Sequence, residues 1–338
     1  MPAALIDTPF SRIRLRSERL IVQSPPLDGQ GDSRDGRIVE IPIAEVERLM
    51  LTENVQITSQ AMAGLLRAKV PVIYLDCRGR TLGLVLTSST AEGFTRLEQY
   101  RRSADVAFNI NIASRLVAAK IANQRRLLQK LESNRPGRLR NEVVQLENYL
   151  EQARLAPDLS TLRGFEGAAT QCYFDAWGRF LPDEFPFQKR SVRPPHNPVN
   201  ACISFGSVLV YNELVSLLHR RGLDPGIGIM HSTENGRFAL ALDLEEPFRP
   251  ALVEAFALRL FSHQMLGAGH FEAHGEGCYL NPAGRRIFLL HYEKRMQRKF
   301  ILAGTEMRTT LRREMENQVL VLKRALSVPE EFRAFTIP

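Results

Sequence analysis

The sequence lacks the features of a membrane or secreted protein. Its 338 residues contain no uninterrupted apolar run near the roughly 20 residues that span a bilayer, and the first twenty hold no continuous apolar signal segment. The four cysteines are far apart and form no CxxC pair. We therefore expect a cytoplasmic protein with reduced thiols and no disulfide framework.

Signatures of nucleotide binding are also missing. No GxxxxGK[ST] phosphate-binding loop occurs, and GLDPGIG at 222–228 lacks the glycine spacing of a dinucleotide site. These absences argue against chemistry that is driven by a nucleotide cofactor.

The chain is moderately basic, with 45 Lys and Arg against 37 Asp and Glu and a net charge of +8. Residues 91–150 contain eleven basic and six acidic residues, and residues 281–338 contain twelve and six. Such blocks can attract a polyanion such as nucleic acid. Because Arg and Glu alternate in both, solvated faces of amphipathic helices are an alternative explanation.

The pattern of apolar residues predicts two domains. The first ninety residues contain short segments rich in Val, Ile, Leu and Thr, which predict strands around one helix capped at Thr58 or Ser59. Polar residues at 25–36 predict a mobile loop, and CRGR at 77–80 predicts a hairpin turn. From residue 95 to 154 the helical period predicts two long helices joined at 134–137. We predict an α+β protein with a small β-rich domain at 1–92 and a larger all-α domain at 93–338.

Four residues of the second domain have the chemistry of a metal site. Glu166 lies in LRGFEGAATQCYF, His231 ends GLDPGIGIMH, and Asp243 and Glu246 lie three residues apart in RFALALDLEEPFRP. If the last segment is helical, its two carboxylates share a face and can approach one cation. An imidazole with carboxylates suits Mg²⁺ or Mn²⁺ better than zinc, and such ions support phosphodiester chemistry.

Each of these residues also has a purely structural explanation. Glu166 could pair with Arg163, and His231 could be an ordinary half-buried histidine. Asp243 and Glu246 precede an apolar run, so they could be acids at the start of a helix, where the helix dipole favours them. The spacing alone leaves these explanations open.

A second pattern, HFEAHGEGC, suggests zinc. It places His270, His274 and Cys278 four residues apart, with His263 seven residues upstream. The glycines between the last two ligands disfavour a helix, however, and no cysteine pair elsewhere completes a structural site. A loop or a helix end with surface histidines is the alternative.

Several longer motifs occur in order along the chain. VQITSQAMAGLLRAKVPVIYLDCRGRTLG in the first domain precedes RGFEGAATQCYF, FPFQKRSVRPPHNPVNACISFGSVL, RGLDPGIGIMH and GRFALALDLEEPFRP. With these motifs the chain resembles, over nearly its whole length, the CRISPR-associated endonuclease and integrase of the spacer-adaptation module.

The resemblance implies a set of roles for the candidate residues. Glu166, His231 and Glu246 would hold a divalent metal, Mg²⁺ or Mn²⁺, and Asp243 would support activity. It also implies a homodimer formed through the β-rich domains, with two dimers bridged by a small ferredoxin-like partner protein. Its substrates would be double-stranded DNA, namely a spacer fragment and a repeat array. Where the family often has Asp before Pro, this chain has Asn197, and Asn caps helices about as well as Asp.

The basic segment QKRSVR lies between the motifs of Glu166 and His231. We expect its Lys189, Arg190 and Arg193 to hold backbone phosphates, which position DNA without reading its sequence. A solvated loop is the alternative. Asn200 could orient a ligand or a phosphate, or it could cap a helix.

These observations lead to the hypothesis of a prokaryotic, metal-dependent DNA integrase and endonuclease. The 3′-OH of a short fragment would attack a phosphodiester of the repeat, and no covalent enzyme nucleophile would be needed. Two alternatives stay open: a metal-dependent nuclease of branched DNA in repair, and a non-catalytic DNA-binding scaffold.

Overall fold

The computed structural model describes residues 3–26, 36–76, 81–87, 92–234, 236–302 and 306–337. The chain divides into two compact units, Met1–Ser89 and Thr90–Pro338. The predicted boundary lies three residues further along. The turn predicted at 77–80, and most of the loop predicted at 25–36, lie outside the described residues.

The first unit consists of two four-stranded sheets and the helix α1 (Ser59–Arg67). Its strands are β1 (Ala3–Ile6), β2 (Arg12–Arg16), β3 (Arg19–Gln23), β4 (Ile38–Pro42), β5 (Arg48–Thr52), β6 (Gln56–Ile57), β7 (Val72–Leu75) and β8 (Thr81–Val85). One sheet has the order β1-β5-β7-β8, and the other has the order β4-β3-β2-β6. Thr58 caps α1, as predicted, because its hydroxyl accepts a hydrogen bond from the Ala61 amide at 3.3 Å. Alternate strand residues and one face of α1, among them Leu20, Leu49 and Leu65, form an apolar core.

The second unit is mainly helical. Its helices are α2 (Gly93–Ser103), α3 (Val106–Asn134), α4 (Glu142–Arg154), α5 (Leu159–Trp177), α6 (Pro198–Arg220), α7 (Ala239–Glu245), α8 (Ala255–Ser262), α9 (Pro282–Gln297) and α10 (Leu311–Ala325). Two antiparallel hairpins accompany them, β9 (Phe271–His274) with β10 (Gly277–Leu280) and β11 (Lys299–Ile301) with β12 (Arg308–Thr310). The predicted α+β class, with strands first and helices after, is confirmed, and the hairpins make the second unit mainly helical rather than all-α.

The region 95–154 contains one more break between helices than predicted. The structure has three helices here instead of two, because α2 ends at Ser103 and α3 starts after Asp105. The Asp105 carboxylate accepts a hydrogen bond from the Phe108 amide at 3.0 Å and thereby caps α3. The capping residue was visible in the sequence, but the continuous apolar period concealed the break.

The buried face of α3 is not entirely apolar. The helix α3 packs against α4 and α5, and its buried residues include the apolar Ile112 and Leu116 and the polar Lys120, Asn123 and Gln124. A lysine on the inner face of a helix needs compensating charges. This helix therefore brings a cation into the interior of the unit.

The helix α6 qualifies the expectation that the chain has no membrane-spanning segment. By length and composition alone, this described helix is long and apolar enough to cross a membrane. Polar residues such as Asn200 and Ser204 interrupt its apolar residues, so the helix contains no uninterrupted apolar run. Most of the helix is buried within the second unit, as is typical of the central helix of a globular domain.

Candidate functional site

The predicted ligands Glu166 and Glu246 converge on a lysine. Glu166 lies in the middle of α5, and Glu246 directly follows the last residue of α7. Both carboxylates contact the Nζ of Lys120 on α3, Glu166 through Oε1 and Glu246 through Oε2 at 2.6 Å. Lys120 is only 4% exposed, so these ion pairs lie inside the protein. We call Glu166 and Glu246 the carboxylate pair.

Two cations set the electrostatics of Glu246. Burial alone would raise the pKa of Glu246, but Lys120 and Arg249, whose Nη1 lies 3.3 Å from Glu246 Oε1, lower it to about 2. Burial likewise opposes the charge of Lys120, yet Glu246 and Glu166 raise its pKa overall. Each group is therefore ionised at neutral pH because its neighbours carry the opposite charge.

Glu166 is also held by its own helix. The Thr170 hydroxyl, one turn further along α5, donates a hydrogen bond to Glu166 Oε1 at 2.9 Å. Arg163, the alternative partner suggested by the sequence, instead donates from Nε to the carbonyl oxygen of Met230 at 3.2 Å. Glu166 thus faces the Lys120 side of the helix, and Arg163 supports the segment that carries His231.

Asp243 fixes the position of His231. It is fully buried on α7, and its Oδ2 accepts hydrogen bonds from the amides of Ile229 at 2.6 Å and Met230 at 3.1 Å. Its Oδ1 accepts from the His231 amide at 2.9 Å and lies 2.7 Å from the ring Nδ1. Burial opposes a charged imidazole, but the hydrogen bond and charge of Asp243 raise the pKa of His231 overall. A neutral imidazole that donates from Nδ1 has the lone pair of Nε2 available as a ligand.

The expected approach of Asp243 and Glu246 to one cation is wrong. Although they lie three residues apart, Asp243 binds the backbone at 229–231, whereas Glu246 contacts Lys120. Asp243 lies near the end of α7, so the helix-dipole explanation does not apply to it, whereas Glu246 is the first residue of a short 3-10 helix, Glu246–Phe248. Asp243 has the geometry of a group that positions His231.

The predicted metal ligands are near one another but do not enclose a common point. The charge of Glu246 contributes to the raised pKa of His231, so the imidazole lies within electrostatic range of the carboxylate pair. Nevertheless, no three His, Cys, Asp or Glu side chains among the described residues are arranged to hold a metal ion. Lys120 Nζ lies where the two carboxylates meet. The donor set fits Mg²⁺ or Mn²⁺, since two carboxylates already share one cation and supply the oxygen ligands that these ions prefer.

Further buried carboxylates surround Arg249. Arg249 Nε lies 3.7 Å from Glu254 Oε1, in addition to its contact with Glu246. Burial raises the pKa of Glu245 and of Glu254 to about 7, although Arg249 opposes this increase. The site therefore adjoins a buried cluster in which acidic groups outnumber the cations.

The four predicted DNA-binding residues differ in their surroundings. Lys189 and Arg193 are exposed, whereas Asn200 is 1% exposed. Asn200 Oδ1 accepts from Arg190 Nη1 at 2.9 Å and its Nδ2 donates to the Lys189 carbonyl at 3.0 Å, so it joins the basic segment to α6. The N-cap of α6 is Asn197, whose side chain accepts from the Asn200 amide at 2.8 Å. DNA contacts by these four residues stay a prediction.

A basic cleft lies elsewhere in the second unit. It has a volume of about 750 Å³, and none of the described residues that line it is acidic. Its cationic residues come from α3, α8 and the region of α9, and they are Arg126, Lys130, Arg135, Arg259, Arg295 and Arg298. All but Arg259 belong to the two basic blocks recognised in the sequence, so residues from both blocks line one cleft.

The zinc pattern does not form a site in the part of the chain that the structure describes. His274 and Cys278 lie on the paired strands β9 and β10, where His274 pairs with Gly277 and Cys278 pairs with Ala273. Strand alternation separates side chains that a helix would have aligned. No metal cluster of His, Cys, Asp and Glu is found among the described residues.

Sequence reasoning missed Lys120 and Arg249, the two cations of the site. Lys120 occurs in RLVAAKIANQRRLL, where the helical period places it on the apolar face with Leu116 and Leu127. A charged residue at such a position indicates a buried partner. That signal was available, but the sequence could not identify partners 46 and 126 residues away.

Comparison with known proteins gives a consistent result. The family model described as CRISPR associated protein Cas1 matches residues 4–294. A CRISPR-associated endonuclease Cas1 of Thermodesulfovibrio yellowstonii is 30% identical over 287 residues, which cover 83% of this chain and 90% of that protein. A CRISPR-associated exonuclease Cas4/endonuclease Cas1 fusion of Geobacter sulfurreducens is 33% identical over 334 residues, which cover 95% of this chain and 58% of the fusion. The chain thus spans little more than half the length of that relative.

Solved structures share the fold. A Cas1 protein from Thermotoga maritima superposes with a TM-score of 0.80 at 24% identity and covers 97% of both chains. A casposase bound to its integration product has a TM-score of 0.88 at 20% identity, covering 100% of this chain and 94% of that one. A chain of a Cas6-RT-Cas1–Cas2 complex has a TM-score of 0.80 at 25% identity, covering 99% of this chain and 36% of that one.

Proposed function

The chain belongs to the Cas1 family of CRISPR-associated proteins, and from this premise we propose that it is a metal-dependent DNA endonuclease and integrase. It inserts short DNA fragments into a CRISPR repeat array by transesterification, in the cytoplasm of a prokaryote. The observation that carries the proposal is the convergence of Glu166 and Glu246 on one cation inside the protein. The names of the relatives, which are endonucleases, support the same class of reaction.

Glu166, Glu246 and His231 would hold the divalent metal, Mg²⁺ or Mn²⁺. When bound, such an ion lowers the pKa of the attacking hydroxyl and offsets negative charge at the phosphorus. Asp243 keeps the His231 ring in place through Nδ1, so that Nε2 can face the ion. Arg249 holds Glu246 from the side of Oε1 and keeps it ionised.

The DNA substrate is an extended polyanion, and the basic residues of the second unit suit it. The basic cleft, together with the exposed Lys189 and Arg193, supplies positive charge that can contact backbone phosphates. Such contacts hold a strand regardless of its sequence, so we expect binding to weaken steeply as salt concentration rises.

A partner protein is part of the proposal. One structural neighbour is a chain of a complex that contains Cas1 and Cas2, which supports assembly with a small ferredoxin-like adaptation protein. We further propose homodimerisation through the β-rich unit. The fused relatives carry a Cas4 exonuclease name as well, and that additional activity is not proposed for this chain.

An integration assay tests the function. The purified protein and its partner are incubated with a labelled DNA fragment, a supercoiled plasmid carrying the repeat, and Mg²⁺ or Mn²⁺. We expect joining of the fragment to the plasmid and a loss of roughly 10²-fold or more in Glu166→Gln and His231→Ala, because each removes a ligand of the ion. Glu151→Gln, an exposed carboxyl of α4, is the matched control and should integrate normally.

Other outcomes would favour the alternatives. Cleavage of branched DNA without joining would identify a repair nuclease that uses the same metal chemistry. DNA binding without metal-dependent cleavage or joining would identify a scaffold. Normal integration by Glu166→Gln would show that the assigned site is wrong.

A further inference from the structure

Lys120 lies at the centre of the candidate site. It reaches the site from α3, and its Nζ contacts the nearest oxygen of Glu166 and of Glu246, the latter at 2.6 Å. It is nearly inaccessible to solvent. Its ammonium therefore stands between the two carboxylates that the proposed function assigns to the metal.

One positive charge only partly compensates this pair. The two carboxylates and the Lys120 ammonium alone sum to a net charge of −1, and Arg249 supplies the balancing charge from the other side of Glu246, at Oε1, whereas a divalent ion would neutralise the pair by itself. Without a cation between them, the buried carboxylate of Glu246 and the partly exposed carboxylate of Glu166 would repel each other, so that one would take up a proton or the two would separate. Of the two cations that the chain supplies, Lys120 contacts both carboxylates where they meet, whereas Arg249 contacts Glu246.

The backbone near Glu246 does not depend on Lys120. Asn123, one turn further along α3, donates from Nδ2 to the Pro247 carbonyl at 2.7 Å and to the Phe335 carbonyl at 3.0 Å. Its Oδ1 accepts from the Ile337 amide at 2.7 Å. These bonds hold the residue after Glu246 in place. The flexible stem of Lys120 can thus move its ammonium away without displacing the ligand segment.

We propose that Lys120 is a tethered cation that occupies the metal position in the metal-free protein and is displaced when the divalent ion binds. The proposal rests on the proposed function, because it takes the carboxylate pair as metal ligands. Lys120 is in this sense a positioning residue. It keeps Glu166 and Glu246 together before loading, and it competes with the ion for them.

Two possible roles of Lys120, a purely structural ion pair and a competitor of the metal ion, predict opposite changes in metal affinity when the lysine is removed. If Lys120 only supported the fold, its removal would loosen the site and weaken metal binding. If it competes, its removal abolishes the competition and strengthens metal binding, although the metal-free protein becomes less stable. Metal affinity therefore separates the two roles independently of catalysis.

The test measures Mn²⁺ binding to the full chain by isothermal titration calorimetry, and melting temperature in EDTA and in Mn²⁺. For Lys120→Met we expect at least about tenfold tighter Mn²⁺ binding. We also expect this variant to have a lower melting temperature in EDTA and a larger rise in melting temperature when Mn²⁺ is added. An ion that binds the folded state but not the unfolded state stabilises the folded state. Lys294→Met, the same change at an exposed lysine of α9, should leave Mn²⁺ affinity unchanged.

A second variant, which keeps the positive charge, tests the proposal even if Lys120→Met does not fold. Lys120→Arg keeps the cation and can bind carboxylates with two parallel hydrogen bonds, so it should retain the metal-free melting temperature and bind Mn²⁺ at least about tenfold more weakly. Unchanged or weaker binding by folded Lys120→Met, or parent-like binding by Lys120→Arg, would overturn the proposal.

Failure of the proposed function would look different. Glu166→Gln should weaken Mn²⁺ binding in the parent background if the ligand assignment is right. If the parent protein binds no Mn²⁺, or if Glu166→Gln binds Mn²⁺ as well as the parent, the assignment of the metal site is wrong. The proposed role of Lys120 is then wrong as well. If Glu166→Gln is impaired but Lys120→Met is not tighter, the role of Lys120 alone is wrong.

Discussion

The two units of this protein bury charge very differently. Among the described residues of the first unit, Asp76 is the one charged side chain that is buried. The second unit buries Lys120, Glu213, Asp243, Glu245, Glu246, Glu254 and Glu314. Of these seven, five lie on α3 or between residues 243 and 254, in and around the candidate site.

This difference shows how each unit is held together. The core of the first unit consists of apolar side chains from strands and one helix, so its stability comes from removing apolar area from water. In the candidate site, part of the interior is occupied by ions that cost free energy to bury and must compensate one another. Such clusters persist where chemistry requires them, and this unit contains the candidate site.

The largest expected effect on the free energy of unfolding comes from removing the Asp243 carboxylate, which accepts the hydrogen bonds of the His231 segment. Asp243→Ala leaves three backbone amides and the imidazole without their acceptor, so we expect the free energy of unfolding to fall by about 3–5 kcal/mol. Urea unfolding followed by the fluorescence of Trp177, the single tryptophan and fully buried in the second unit, measures this change. Asp183→Ala, at an exposed carboxylate, is the control. A change below about 1 kcal/mol would show that water replaces the carboxylate without cost.

A cavity in the first unit should produce a smaller and spatially separate effect. Leu65→Ala removes a fully buried side chain of α1, and we expect a loss of about 3 kcal/mol in that unit. Hydrogen exchange of the peptide that covers β5 should accelerate, while the Trp177 transition moves little, because the core cluster around Leu65 lies within the first unit. Leu82→Ala, at a 59% exposed leucine, is the control. An equal shift of the Trp177 transition would mean that the two units unfold together.

The smallest expected effect depends on pH. Because burial raises the pKa of Glu254 to about 7 from 4.5, the folded state keeps a proton between about pH 4.5 and 7 that the unfolded state has released. Stability should therefore fall as pH rises through this window, by about 1–3 kcal/mol from this group, and level off above it. Glu254→Gln should reduce the fall measured by urea unfolding at pH 5, 6, 7 and 8. The same slope in Glu254→Gln and in the Glu151→Gln control would assign the pH dependence to other groups.

The sequence predicts candidate site residues but not how their side chains are arranged. Glu166, His231 and Glu246 were named by several motifs in order and by the family resemblance that those motifs carry, and their role as metal ligands stays a prediction. The ion pairs of Lys120 join α3 to residues far along the chain, and no local pattern encodes such a distance. The expectation that Asp243 and Glu246 approach one cation failed because the two side chains have different partners, the backbone amides at 229–231 for Asp243 and Lys120 for Glu246.

For the fold, the sequence predicts the classes of the elements in most places but misses one helix break and one hairpin. Period and composition separated the strands from the helices, because amphipathic patterns reflect burial directly. The break before α3 was missed although Asp105 is a good capping residue, since the apolar period runs through it. The hairpin at 271–280 was missed because its short strands depend on pairing with each other and carry little periodic signal.

The hydrogen bonds to Asp243 have a consequence for how the sequence of the site can vary. Three successive amides, those of Ile229, Met230 and His231, locate the imidazole, and an amide is supplied by every amino acid except proline. The half-buried side chain of Ile229 is therefore open to replacement, whereas the carboxylate at 243 is not. The position of His231 thus depends on the path of the backbone at 229–231. Side chains beside it can be substituted as long as that path is kept.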